Sequence, residues 1–173
     1  MKQRGYLDIV IRYLLLIIVA IPNLYIFYTI FTPLTIYPVY FLLKIFFNAT
    51  LSNNIIVINH ISIEVIQACI AGSAYYLLFI LNLSIPHIKI KKRLKMIGIA
   101  FLSLLILNIL RILLLVSITL YNPSLFDITH KVFWYALSIF FVIGIWFAEV
   151  KFFKIKQIPF YSDINFLYQK IAK

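Results

Sequence analysis

Long apolar runs separated by short polar or basic ones extend along the whole chain. Met1 to Arg12 carries Lys2, Arg4 and Arg12, and an apolar run from Tyr13 to Phe31 follows. That run is too long for a signal peptide, and no Ala-x-Ala cleavage pattern follows it. It reads as a transmembrane helix interrupted by Pro22 and Asn23, with a kink at the proline. From Thr32 to Asn54 the pattern is mixed. Pro33 and Pro38 break it, and Leu34 to Phe47 is apolar except for Lys44. This piece is short for a separate crossing and reads as interfacial or re-entrant. Ile55 to Ile63 is β-branched and partly alternating, so an extended conformation is expected. An unpaired strand cannot face lipid, which places it at the outer water boundary or against helices.

Three further helices follow. Ile66 to Leu83 holds Cys69 near its start, and Met96 to Leu120 holds Asn108 and Arg111. Val132 to Val150 is the last. Ser84 to Lys95 is the densest basic run, and Tyr121 to Lys131 is a polar loop with Asn-Pro as a turn signal. The tail, Lys151 to Lys173, is basic and aromatic and is expected to lie along a membrane surface.

Composition agrees with this pattern. The chain has 173 residues, 64% hydrophobic and 12% charged, with mean hydropathy +1.04. A soluble domain is about 25% charged, so too little polar surface exists here to cover a water-soluble globule. The expected class is an all-α polytopic membrane protein in a single domain. It has about four transmembrane helices of roughly 20 residues each plus the interfacial or re-entrant segment. The net charge of +11 would suggest nucleic acid in a soluble chain. Here the basic residues sort by position. With both termini and the Ser84–Lys95 loop on the cytoplasmic side, that side takes every Lys and Arg except Lys44, Arg111 and Lys131. The charge therefore reads as topology in the cytoplasmic membrane, with no nucleic-acid partner.

On this topology Cys69, Arg111 and His130 fall in the outer half. Arg111 lies eight or nine residues from the outer end of its helix, roughly 12 Å deep. A cation there costs roughly 2.5–3.5 kcal/mol on insertion scales, so it should face a cavity or a partner. Snorkelling is the plainer alternative. Asn108 lies three residues earlier on the same face and serves either the guanidinium, the substrate backbone or a neighbouring helix. Packing is the plainer role of a lone membrane cysteine. Cys69, however, sits in the first turn of a helix, where the dipole favours a thiolate. Gly72, Ser73 and Tyr76 follow at i+3, i+4 and i+7 and leave room for a backbone to approach. Asp127 either orients His130 or caps its helix, a role open also to Thr129. His60, Glu64 and Gln67 are weaker outer-side candidates, and His87 falls on the cytoplasmic side. A single cysteine makes neither an internal disulfide nor a cysteine-based zinc site. No His-Glu-x-x-His, intramembrane carboxylate pair or Gly-x-Ser-x-Gly occurs, so neither metal nor cofactor is expected.

A thiol nucleophile, an imidazole acid/base and a guanidinium form the set needed for acyl transfer. Ala68-Cys69-Ile70-Ala71-Gly72, then Asn108-Ile109-Leu110-Arg111, then His130 before an aromatic helix, resemble the exosortase/archaeosortase family. The resemblance covers about Glu64 to Val150. Members often carry Ser or Thr after the cysteine and glycine next, where this chain has Ile70 and Ala71. The resemblance implies a membrane cysteine transpeptidase acting on exported proteins whose C-terminal signal is a short motif, a transmembrane helix and a basic end. Cys69 would form the thioester, His130 would serve as acid/base, and Arg111 would stabilise negative charge. The alternative is a non-enzymatic scaffold or small transporter subunit. A lipid-modifying enzyme has no motif in its favour.

Overall fold

The computed structural model describes residues 2–58, 61–86, 88–133 and 138–171. Helix α1 covers Lys2–Ala20 and α2 covers Tyr25–Phe46. Asn23 (φ 48°) and Leu24 (φ 59°), both left-handed, follow Pro22 and separate the two. The break falls where the sequence places it, at Pro22 and Asn23. The expected interruption at Pro33 and Pro38 does not occur: both lie inside α2. Leu34–Phe47 is thus no separate interfacial or re-entrant segment, because α2 continues through it to Phe46. A proline removes one intrahelical hydrogen bond, and an apolar helix packed on neighbours tolerates that loss. Ile36, Val39 and Leu43 bury one face of it.

Beyond α2 comes a three-stranded antiparallel sheet: β1 (Ala49–Ser52), β2 (Ile55–Ile58) and β3 (Ile61–Glu64), in that spatial order. The fold is therefore not all-α. The extended stretch expected at Ile55–Ile63 satisfies its backbone by pairing Ser52 with Ile55 and Ile55 with Glu64. Asn53 turns the first hairpin at φ 53°, a conformation asparagine tolerates. Ile56 and Ile58 point one way into the core, as a period of two requires.

The expected helix Ile66–Leu83 is divided into α3 (Gln67–Ile70) and α4 (Gly72–Leu83) by Ala71 at φ 60°. Helix α5 runs Ile90–Tyr121, so it takes in most of the basic run that the sequence places before it. A 3-10 turn at Pro123–Leu125 leads into α6 (Phe126–Val132), so the expected loop is largely helical. Helix α7 (Ser138–Phe152) and α8 (Tyr161–Ile171) complete the chain. Helices α2 and α5 are long and apolar enough to cross a membrane, and Gln67–Leu83 is a shorter apolar stretch.

Contacts give the direction of each element. Arg12 of α1 reaches the C-terminal residue of α4, bonding the Leu83 carbonyl at 3.1 Å. Tyr76 Oη donates to the Leu16 carbonyl at 3.0 Å. Further along, the Phe31 ring stacks on Tyr75 with centroids 3.6 Å apart. Helices α1 and α2 thus run, one after the other, antiparallel to α3–α4. Phe101 of α5 meets the Phe27, Phe31 and Tyr75 rings edge-on and joins α2, α4 and α5.

Both chain termini meet the α4–α5 connection at one end. Arg12 Nη2 pairs with Asp163 of α8 at 2.8 Å, both side chains buried, and Tyr13 Oη donates to the other carboxylate oxygen at 3.2 Å. Lys92 Nζ donates to the Phe153 carbonyl at 2.9 Å. The tail is therefore held to the bundle by a buried carboxylate. Asp163→Ala removes the buried partner of Arg12 and leaves it only the exposed carboxylate of Asp8. A loss of about 1–3 kcal/mol is expected, read as a lowered thermal midpoint of the purified protein in detergent. An unchanged midpoint would show that α8 is not held by this pair.

Candidate functional site

The α3–α4 break makes the site. Cys69 lies in the single turn of α3, with its amide bonded to the Ile66 carbonyl at 2.9 Å. The left-handed Ala71 then ends that turn. Carbonyls at the end of a helix have no intrahelical partner. Two side chains of α5 meet them. Asn108 Nδ2 donates to the Cys69 carbonyl at 2.8 Å. Arg111 Nη2 donates to the same carbonyl at 3.3 Å and to the Ala68 carbonyl at 3.4 Å. Asn108 is 2% exposed and Arg111 6%, so neither snorkels out of the bundle.

Arg111 Nη1 continues the network. It donates to Ser138 Oγ at 3.0 Å, and Ser138 Oγ donates to the Phe133 carbonyl at 3.2 Å. The Phe133 amide in turn bonds the His130 carbonyl at the end of α6. A chain of hydrogen bonds therefore links Cys69, Arg111 and the backbone that carries His130. Arg111 Nε is buried and has no hydrogen-bond partner. The hydroxyl of Tyr75, wholly buried beside this guanidinium, is likewise unpartnered.

A cleft of about 610 Å³ opens next to the network. Ala68 and Ser138, both bonded to Arg111, lie in its wall with Gln67, Gly72, Ser73 and Tyr28. A second cleft of about 440 Å³ shares Tyr28 and Gln67 with it and continues toward Pro22 and Asn23. Cys69 is half-buried, packs against the core and is flanked in sequence by wall residues.

The sequence-predicted residues divide into groups. Cys69, Asn108 and Arg111 are brought together by direct bonds, and Gly72 and Ser73 lie in the cleft wall. They do not share one helical face with Cys69, because Ala71 breaks the helix between them. Tyr76 turns instead toward α1. His130 is half-buried on α6 with its ring stacked on Phe126, centroids 5.3 Å apart. It lies in the last turn of α6, and the residues between α6 and α7, 134–137, lie outside those described. Asp127 is exposed in the first turn of α6, and neither it nor Thr129 caps that helix, whose N-cap position is Leu125. Glu64 is exposed on β3, and His60 and His87 lie outside the described residues. Among the described residues no three His, Cys, Asp or Glu side chains gather as a metal ligand set.

Tyr28, Tyr75 and Ser138 enter the site without being singled out by the sequence. A tyrosine or serine inside an apolar run carries no distinctive signal; only the fold brings Tyr75 and Ser138 to Arg111 and Tyr28 to the cleft wall. No protein-family model, curated protein or solved structure matches this chain.

Gly72 sets the width of the cleft. A Cβ there would come within 2.7 Å of the Tyr28 ring. Gly72→Ala is therefore expected to push Tyr28 aside and to cost about 1–3 kcal/mol. In a Tyr28→Ala background the same change should cost far less, as measured by thermal unfolding of the four variants in detergent. Equal costs in both backgrounds would remove Tyr28 as the cause.

Proposed function

We propose that this chain is a membrane-embedded cysteine peptidase or transpeptidase of the exosortase/archaeosortase kind. It would cleave a C-terminal sorting signal of exported proteins at the outer face of the cytoplasmic membrane. The observation that carries the reading is the Cys69–Arg111 junction: a buried guanidinium bonded to the cysteine turn, beside a cleft, with one donor unused. Ala71 adds support. It is held at φ 60° at the position where the resembled family often has glycine, the residue that adopts this conformation without a Cβ penalty.

In the proposed topology α1 with α2, α3 with α4, α5, and α7 form four passages. The termini and the α4–α5 connection are cytoplasmic, as the basic residues at that end favour. A substrate helix docks beside the bundle, and its scissile carbonyl enters the cleft near Cys69. The cysteine sulfur attacks that carbonyl carbon, and its proton passes to His130. Negative charge develops on the carbonyl oxygen, and Arg111, bonded to the cysteine turn, is the cation that stabilises it. Collapse breaks the C–N bond, and His130 protonates the departing amine. The thioester left on Cys69 is resolved by an acceptor amine or by water, which regenerates the thiol.

A second reading has an observation of its own. Arg111 spends its terminal donors on Ala68, Cys69 and Ser138, as a residue that only fixes helix packing would. That describes a scaffold or transporter subunit. The two readings separate on substitution. In cells expressing an exported protein with a motif, a transmembrane helix and a basic end, Cys69→Ala should insert normally yet leave that protein uncleaved. Arg111→Lys keeps the charge but loses the fork, and processing should slow by about 10²-fold or more. Full processing by Cys69→Ala would sink the peptidase and leave the scaffold.

A further inference from the structure

The end of the bundle opposite Cys69 holds a further cleft, of about 350 Å³, between the start of α5 and the segment that follows α7. Lys89, Lys92, Lys154 and Lys156 line it, with Ile88 and Ile155 as its apolar part. Lys92 is fixed by its bond to the Phe153 carbonyl, and the other three lysines are exposed. Lys89 is also the N-cap residue of α5, a helix of 32 residues with no side-chain cap and no acid in its first turn. The positive end of that helix therefore adds to the lysine field.

Like charges gathered around one concavity repel unless something neutralises them, and the protein's own carboxylates are placed elsewhere. The chain has 5 acidic against 16 Lys and Arg residues. Asp8 and Asp163 pair with Arg12, and Glu149 is buried against Asn82 at 3.0 Å. Glu64 on β3 and Asp127 on α6 belong to the far end. A topology signal requires only that lysines lie on one side. It does not require four of them to line one cleft with an apolar part.

We propose that this cleft is a binding site for the phosphate headgroup of an anionic phospholipid of the cytoplasmic leaflet. The lysines and the α5 N-terminus hold the phosphate, and Ile88 and Ile155 lie against the first acyl carbons. Basic pockets between helices at the cytoplasmic side hold such headgroups elsewhere. A bound lipid would bridge the α4–α5 connection to the α7–α8 connection. The proposal rests on the membrane reading above and is independent of the peptidase chemistry.

The test uses the purified full chain in neutral detergent, with phosphatidylglycerol or phosphatidylcholine added and bound lipid counted by native mass spectrometry. Alkaline carbonate extraction of membranes checks the membrane reading separately. Wild type should retain phosphatidylglycerol in preference to phosphatidylcholine. A Lys89→Gln, Lys154→Gln, Lys156→Gln variant should bind it at least about tenfold more weakly. Lys91→Gln, Lys95→Gln, Lys151→Gln removes the same charge from exposed positions outside the cleft and should change binding less than about twofold. Equal losses in the two variants would overturn the site in favour of diffuse surface charge. Displacement of the lipid by millimolar inorganic phosphate would overturn the lipid as ligand in favour of a soluble phosphate.

Discussion

A helix that ends inside an apolar bundle leaves carbonyls that water cannot reach, and this fold depends on arginines that answer them. Arg111 bonds the end of α3 at Ala68 and Cys69. At the other end of the same segment, Arg93 bonds the carbonyls of Asn82, Leu83 and Ile85, and Arg12 bonds Leu83 as well. The cysteine turn and the helix after it are thus clamped from above and below. A guanidinium suits the task because it offers five donors in a rigid fork and remains charged. An unsatisfied carbonyl at such a place would cost several kcal/mol in lipid.

The clamp explains why a strained backbone persists where it does. Ala71 holds a left-handed conformation that an L-residue adopts at a cost of roughly 1–2 kcal/mol. With Arg111 and Asn108 bound to Cys69 across it, and Gly72 against the Tyr28 ring, the surroundings leave the chain no cheaper path. The same contacts place a nucleophilic side chain, a cation and a cleft together. Strain of this sort is found where a side chain must be presented at a set angle.

The two ends of the bundle differ in character. The far end carries the sheet, the cysteine turn and α6, with few charges. The near end carries the chain termini, the buried Arg12–Asp163 pair and the lysine-lined cleft. Helix α5 spans from one to the other, with Lys89 before its first turn and Asn108 and Arg111 farther along it.

The sequence by itself determined the apolar, mostly helical character, the break at Pro22–Asn23, the extended stretch after Asn54, and the few residues with chemistry to offer. Each of those is a local matter of hydropathy, backbone restriction or side-chain type. Only the tertiary structure decided that Pro33 and Pro38 lie within one helix, because one face of that helix packs on its neighbours. It alone decided that Ile55–Ile58 pairs with Ala49–Ser52 on one side and Ile61–Glu64 on the other, since a strand's partner is not written in the strand. It also decided that Arg93 is a buried clamp in place of one more solvated cation, that Tyr75 and Ser138 join Arg111, and that Tyr28 lines the cleft beside them. Pattern along a chain specifies which faces are apolar. Which polar group meets which carbonyl is fixed only when the helices pack, because each buried donor must then find an acceptor within reach.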